Sequence, residues 1–102
     1  IQEIVEMFAP DGRYDRAGKM LNGRGEIDNF YSHERTLVGA HTIYSIAVDR
    51  LSVTVTGVFE GKSIKEGTPR RLEFADIWKF RPDSGLVGFR HTYLSEGHQK
   101  AE

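Results

Sequence analysis

Residues 72–80 read Leu72-Glu73-Phe74-Ala75-Asp76-Ile77-Trp78-Lys79-Phe80, and this alternation decides the fold. Apolar side chains return every second residue, the period of a strand rather than of a helix. Leu72, Phe74, Asp76, Trp78 and Phe80 therefore share one face, and Glu73, Ala75, Ile77 and Lys79 the other. The strand is expected to run from Arg71 to Phe80. Upstream, His41 to Val48 reads as one strand, and Asp49-Arg50 turns into another. That second strand has Leu51, Val53, Val55 and Phe59 on one face and Ser52, Thr54 and Thr56 on the other. A polar hairpin, Glu60-Gly61-Lys62 through Glu66-Gly67-Thr68-Pro69, joins it to the 71–80 strand. Downstream, Pro82-Asp83-Ser84-Gly85 predicts a turn and Leu86 to Leu94 a last strand, before a tail from Gly97 that is expected to fray.

Ahead of residue 41 the period changes. Ile1, Ile4, Val5 and Phe8 fall at i, i+3, i+4 and i+7, a helix already under way at the first residue, so a preceding segment is expected. Ala9-Pro10-Asp11-Gly12 reads as a turn, because Pro fixes φ and Gly tolerates positive φ, and Arg13 to Arg16 as a short strand. A second helix starts at Asn22-Gly23 with Glu26 and Asp28 in its first turns. It carries Ile27, Phe30, Tyr31, Glu34, Leu37 and Val38 on one stripe and ends at Gly39. Two helices followed by a four-stranded antiparallel meander, with no linker and no repeat, predict a single α+β domain over residues 1–102 with helices on one face of the sheet. The other face is apolar as well, at Val58, Ile77, Val87 and Phe89, which predicts a homodimer through the outer face of the sheet.

Composition narrows the function classes. A chain of 102 residues supports one core. Its 14 basic and 15 acidic side chains leave no basic field for nucleic acid. No apolar run approaches the roughly 20 residues that span a bilayer, so no membrane partner is expected. The absence of Cys removes disulfides, thiolate nucleophiles and cysteine zinc sites. It also fits a reducing compartment, and with no charged-then-apolar leader pattern the expectation is a cytoplasmic protein.

Asp76 is the most informative residue, a carboxylate between Phe74 and Trp78 on an apolar face. Burial would raise its pKa and a nearby cation would lower it. Arg90, inward on the adjacent strand if Gly88 and Leu94 also face inward, is a candidate cation. The pair reads either as a structural tie or as a catalytic or ligand-anchoring group. Asp15 is a candidate general base if it faces the interior, but alternation puts either Tyr14 and Arg16 inside or Asp15 inside. His41 opens a strand and is a candidate acid or base. The four histidines, at 33, 41, 91 and 98, have no metal-ligand spacing, so no metal is expected. Gly23-Arg24-Gly25-Glu26-Ile27-Asp28 lacks the third glycine of a dinucleotide-binding run and the βαβ unit around it, and it reads as a turn and helix entry. No Gly-x-Ser-x-Gly elbow supports acyl transfer. Lys62, Lys65, Arg70 and Arg71 read as a solvated loop.

The run Met7-Phe8-Ala9-Pro10-Asp11-Gly12-Arg13-Tyr14-Asp15 is followed by Gly23-Arg24-x-x-Ile27-x-x-Phe30-Tyr31, then Phe74-Ala75-Asp76-Ile77-Trp78-Lys79-Phe80 and Arg90-x-Thr92-Tyr93. In that order and spacing they resemble the SnoaL-like and ketosteroid isomerase-like branch of the nuclear transport factor 2-like superfamily. The resemblance implies a cone-shaped half-barrel, a curved antiparallel sheet wrapped around N-terminal helices, usually dimeric. Members include ketosteroid isomerases, polyketide cyclases, limonene epoxide hydrolases, dehydratases and proteins without known activity. By the resemblance, Asp76 matches the protonated Asp of the isomerase oxyanion hole. The isomerase general base falls on Arg16 without a gap and on Asp15 with a one-residue shift. The final-strand Asp of the epoxide hydrolases meets Thr92.

These readings lead to an expected small-molecule enzyme that moves a proton on an apolar carbonyl-bearing or polycyclic substrate without a cofactor. Asp76 or Arg90 would hold the oxygen, Asp15 or His41 would carry the proton, and Tyr14, Phe30, Phe74 and Trp78 would line the pocket. A non-catalytic ligand-binding module and a dimeric assembly domain are the alternatives.

Overall fold

The computed structural model describes residues 2–16, 18–34 and 37–95. Expectations that concern Ile1, the Glu34 and Leu37 side chains and the tail from Gly97 lie outside what is described. In chain order the elements are α1 (Gln2–Met7), β1 (Phe8–Arg16), β2 (Lys19–Asn22), α2 (Gly23–Asn29) running on through a π-helical turn (Phe30–Glu34), β3 (Leu37–Asp49), β4 (Ser52–Ser63), β5 (Pro69–Phe80) and β6 (Val87–Leu94). The strands form one curved sheet in the order β2-β1-β6-β5-β4-β3. β1 runs parallel to β6, and the other described pairs are antiparallel. The α+β class expected from the sequence holds, but the sheet is mixed and six-stranded rather than a four-stranded meander. The additions are β2, which the sequence did not announce, and the full length of β1.

The predicted turn at Ala9-Pro10-Asp11-Gly12 is in fact a bulge inside β1. Phe8 pairs with Val87 and Arg13 with Phe89, so residues 9–12 stand against Gly88 alone. Pro10 has no N–H to give a ladder, which suits a bulge. A Cβ on Gly12 would lie 2.8 Å from the Val87 carbonyl oxygen, so only glycine allows that approach. The break that sequence assigned to the chain direction is absorbed by the strand.

The second helix starts where predicted. Glu26 Oε1 accepts a 2.8 Å hydrogen bond from the Asn22 backbone N–H, which ties the helix entry to its first turn. It does not extend to Gly39: the helical turns end at Glu34, and Leu37, Val38 and Gly39 belong to β3. Glycine-rich contact explains the change, since a Cβ on Gly39 would lie 2.3 Å from the Glu60 carbonyl oxygen of β4, a strand-to-strand approach no helix would make.

A second bulge corrects the expected outer face. Lys79 pairs with Phe89 but Phe80 pairs with Val87, a shift that reverses the parity of β6 at its start. Val87 therefore turns inward and is fully buried with Val5, Phe8, Tyr14, Leu21, Ile27, Phe30 and Tyr31. This cluster lies where α1 and α2 cover β2, β1 and β6. A smaller cluster, Phe59 with Leu72 and Leu94, sits farther along the concave face. The far edge, β3, leaves Ile46 and Val48 about two-thirds exposed, at 64% and 69%. Among the described residues no helix is long and apolar enough to cross a membrane.

Candidate functional site

Register alone builds the polar floor of the concave face. Tyr14 on β1, Arg90 on β6 and Trp78 on β5 stand directly opposite one another in one row; Arg16, Thr92 and Asp76 form the next. Because side chains alternate across a sheet, Asp15 must face the other way. It does, with its Oδ2 3.5 Å from Nε2 of His91 on the outer face and its Oδ1 accepting from the Gly18 N–H at 3.1 Å. The two alternatives for β1 are thereby decided: Tyr14 and Arg16 line the cavity and Asp15 does not. Asp15 is withdrawn as a candidate base for that reason.

The cavity has a volume of about 460 Å³. Its apolar walls include Phe30, Phe74 and Trp78, and Tyr14 lines its floor. His41 reaches it from β3, with its ring 5.2 Å from Phe59 and 5.4 Å from Phe74.

Asp76 and Arg90 do meet. Arg90 Nε donates to Asp76 Oδ1 at 3.1 Å and Nη2 to Oδ2 at 3.0 Å, a two-pronged fork of the kind guanidinium and carboxylate geometry favours. The Thr92 hydroxyl also donates to Asp76 Oδ1. Both oxygens of Asp76 are thus occupied by hydrogens from Arg90 and Thr92, so the side chain is engaged in its own network, unlike the oxyanion-hole Asp that the resemblance implied. Since Thr92 spends its hydroxyl proton on Asp76, its oxygen must accept from the Tyr14 hydroxyl, 2.8 Å away. Burial pushes the Tyr14 phenol up to about 12, against the opposing pull of the Arg90 charge, so it is a neutral donor at physiological pH.

Arg90 is held on every side. Its Cζ lies 4.1 Å from the Trp78 ring centre and 4.5 Å from that of Tyr14, a cation between two π faces. Burial alone would push its pKa down; Tyr14, Tyr31 and Asp76 outweigh burial and raise it, keeping the guanidinium charged. Nη1 donates to the Tyr31 hydroxyl at 2.6 Å. Tyr31 accepts from Arg90, which leaves its own proton unspent within the relay, and Tyr31 lines the cavity. Among the described residues no three His, Asp or Glu side chains converge as a metal-ligand set.

Comparison with known proteins follows the same lines. A family model described as the SnoaL-like domain matches residues 1–87. The chain belongs to the SnoaL-like family. Among curated proteins none matches its sequence. Solved structures share the SnoaL-like chain's fold at low identity. A protein of unknown function from Burkholderia pseudomallei, described as NTF2-like, superposes with a TM-score of 0.80 at 16% identity, over 92% of this chain and 77% of that one. A protein with a ketosteroid isomerase-like fold from Catenulispora acidiphila, in complex with trimethylamine, gives 0.74 at 21% identity, over 88% and 71%. TerC, co-crystallised with polyporic acid, gives 0.78 at 20% identity, over 93% and 78%.

Tyr31 was not expected as a site residue of this SnoaL-like domain, while Thr92 and Arg16 entered only as matches to family positions, with Arg16 also the inward alternative to Asp15. Thr92 was within reach, because it shares the inward parity of Arg90. Tyr31 was visible only as one more apolar position on the α2 stripe, since nothing local indicates that its hydroxyl meets an arginine 59 residues away.

Proposed function

We propose that this SnoaL-like domain is a cofactor-independent enzyme that moves a proton on an apolar, carbonyl-bearing molecule held in the concave cavity. The observation that carries the reading is the Arg90–Tyr31 contact of 2.6 Å, which places a charged donor behind a phenol on the cavity wall. A phenol that accepts from a cation is a stronger donor to the next oxygen. Tyr31 would hold the carbonyl oxygen, and Arg90 would stabilise negative charge as it develops there. His41 would take the proton from the carbon beside the carbonyl; the C–H electrons would form the enolate, and return of the proton to carbon completes an isomerisation or exchange. That two structural neighbours were crystallised with small molecules supports a small-molecule cavity in this fold.

The test uses 2-tetralone in deuterated water, with NMR following loss of the hydrogens beside its carbonyl. The protein is expected to speed exchange over buffer, with Tyr31→Phe and His41→Ala each lowering the rate by about a hundredfold or more. Binding without accelerated exchange favours a second reading, a non-catalytic ligand-binding module. One observation supports that alternative: Asp76 is spent on Arg90 and Thr92, and Asp15 faces away from the cavity.

We also propose that a second copy of the chain covers the outer face, where Ile77, Phe89 and Tyr93 lie with Tyr93 51% exposed. A sedimentation mass of a single chain at micromolar concentration would end that proposal.

A further inference from the structure

Among the carboxylate and guanidinium groups inside the cavity, one cation is left unbalanced. Asp76 and Arg90 cancel through their fork, and Tyr14 is neutral because burial holds its phenol far above physiological pH. Arg16 also lines the cavity, one inward position beyond Tyr14 on β1 and directly opposite Thr92. Its guanidinium rests on the face of Phe30, with Cζ 5.0 Å from the ring centre. Among the described residues no carboxylate pairs with it. Arginine does not lose its proton in a protein, so this charge persists against an aromatic wall and a largely apolar lining.

A half-buried guanidinium held over a ring can still turn N–H groups to a partner, and a planar anion matches its edge with two parallel hydrogen bonds. We infer that the ligand is an organic anion: an aromatic or polycyclic body that fills the apolar cavity and carries one carboxylate or acidic hydroxyl, seated on Arg16. The inference rests on the small-molecule reading of the cavity and adds the charge its ligand bears. Arg16 is a specificity residue in this account. It selects the ligand by charge, while the reacting oxygen goes to Tyr31.

The protein's single tryptophan, Trp78, is part of the cavity wall, so its emission reports occupancy. The experiment titrates the chain with 2-naphthoate and with 2-naphthamide, two probes of one shape that differ in charge, at neutral pH and low salt. Naphthoate is expected to bind about tenfold tighter or more, the size of one charge-assisted hydrogen bond. Arg16→Gln should bring the two probes to equal affinity with the amide unaffected, and Arg16→Lys should keep part of the preference, which shows that the variants remain folded. Equal binding of both probes to the unaltered protein, or a preference that survives Arg16→Gln, overturns the inference while leaving the cavity reading intact. If neither probe changes Trp78 emission or shows heat of binding, the cavity reading fails and the inference with it.

Discussion

Asp76 with Arg90 on the concave floor and Asp11 with Arg81 at the β1 bulge are the same two side chains in two different media. The rim pair is the shorter, at 2.6 Å against 3.0 Å, yet Asp11 is 78% exposed while the Asp76 and Arg90 side chains are 11% and 14% exposed. Distance does not rank them; surroundings do. At the rim, water offers each charge nearly what its partner offers, and the pair adds little. On the floor neither charge can recover water, so each depends on the other and on Thr92, Tyr31 and two aromatic faces.

The largest break in that comparison comes from removing one partner. Asp76→Ala leaves the Arg90 charge buried without its carboxylate and is expected to lower unfolding free energy by about 3–5 kcal/mol in urea titration. A loss as small as that of a surface substitution would mean that water reaches Arg90.

Next in size is the alkaline limit. The Tyr14 phenol titrates at 10.0 when exposed and about 12 in the folded chain. A raised folded value gives stability that is fully present below pH 10.0 and is lost as pH climbs toward about 12, because the unfolded chain releases this proton first. The loss amounts to about 3 kcal/mol at roughly 1.4 kcal/mol per pH unit. Tyr14→Phe should remove this part of the alkaline slope, and an unchanged slope would place the titration elsewhere.

The smallest effect belongs to the rim. Arg81 donates to the Asp11 carboxylate and holds it below the usual carboxylate range. The sign is the reverse of Tyr14: whatever stability this pair supplies is present above the ordinary carboxylate value and lost as pH falls through the depressed one. Asp11→Ala is expected to leave both the neutral and the acid unfolding curves within error of the unaltered chain. A clear loss would show that the pair braces the bulge despite its exposure.

The same contrast explains what could be read in advance. The floor was legible because strand alternation is strict: residues 72–80 put Asp76 among apolar neighbours, and the parity of β6 brought Arg90 to it. Alternation failed where the register slipped. The four residues opposite Gly88 turned an expected turn into a bulge, and the shift at Lys79 and Phe80 moved Val87 from the outer face to the core. Neither slip has a local signal stronger than a proline or a glycine, which serve turns and bulges alike. Asp15 and Arg16 were inseparable for a related reason, since only pairing of β1 with β6 says which of two adjacent residues faces in. Contacts across the fold, such as Tyr31 with Arg90, have no sequence period to reveal them.

The central claim is that the floor network ends in a phenol aimed at the ligand rather than in a closed structural tie. The most direct measurement is the affinity of 2-tetralone for the unaltered chain and for Tyr31→Phe, read by Trp78 emission alongside a urea unfolding curve for each. The account predicts binding about tenfold weaker in Tyr31→Phe, with stability lowered by about 1.5–3 kcal/mol, the worth of one hydrogen bond to a charged group. Equal affinity in the two proteins would contradict it and leave the Arg90–Tyr31 contact as a brace for the fold.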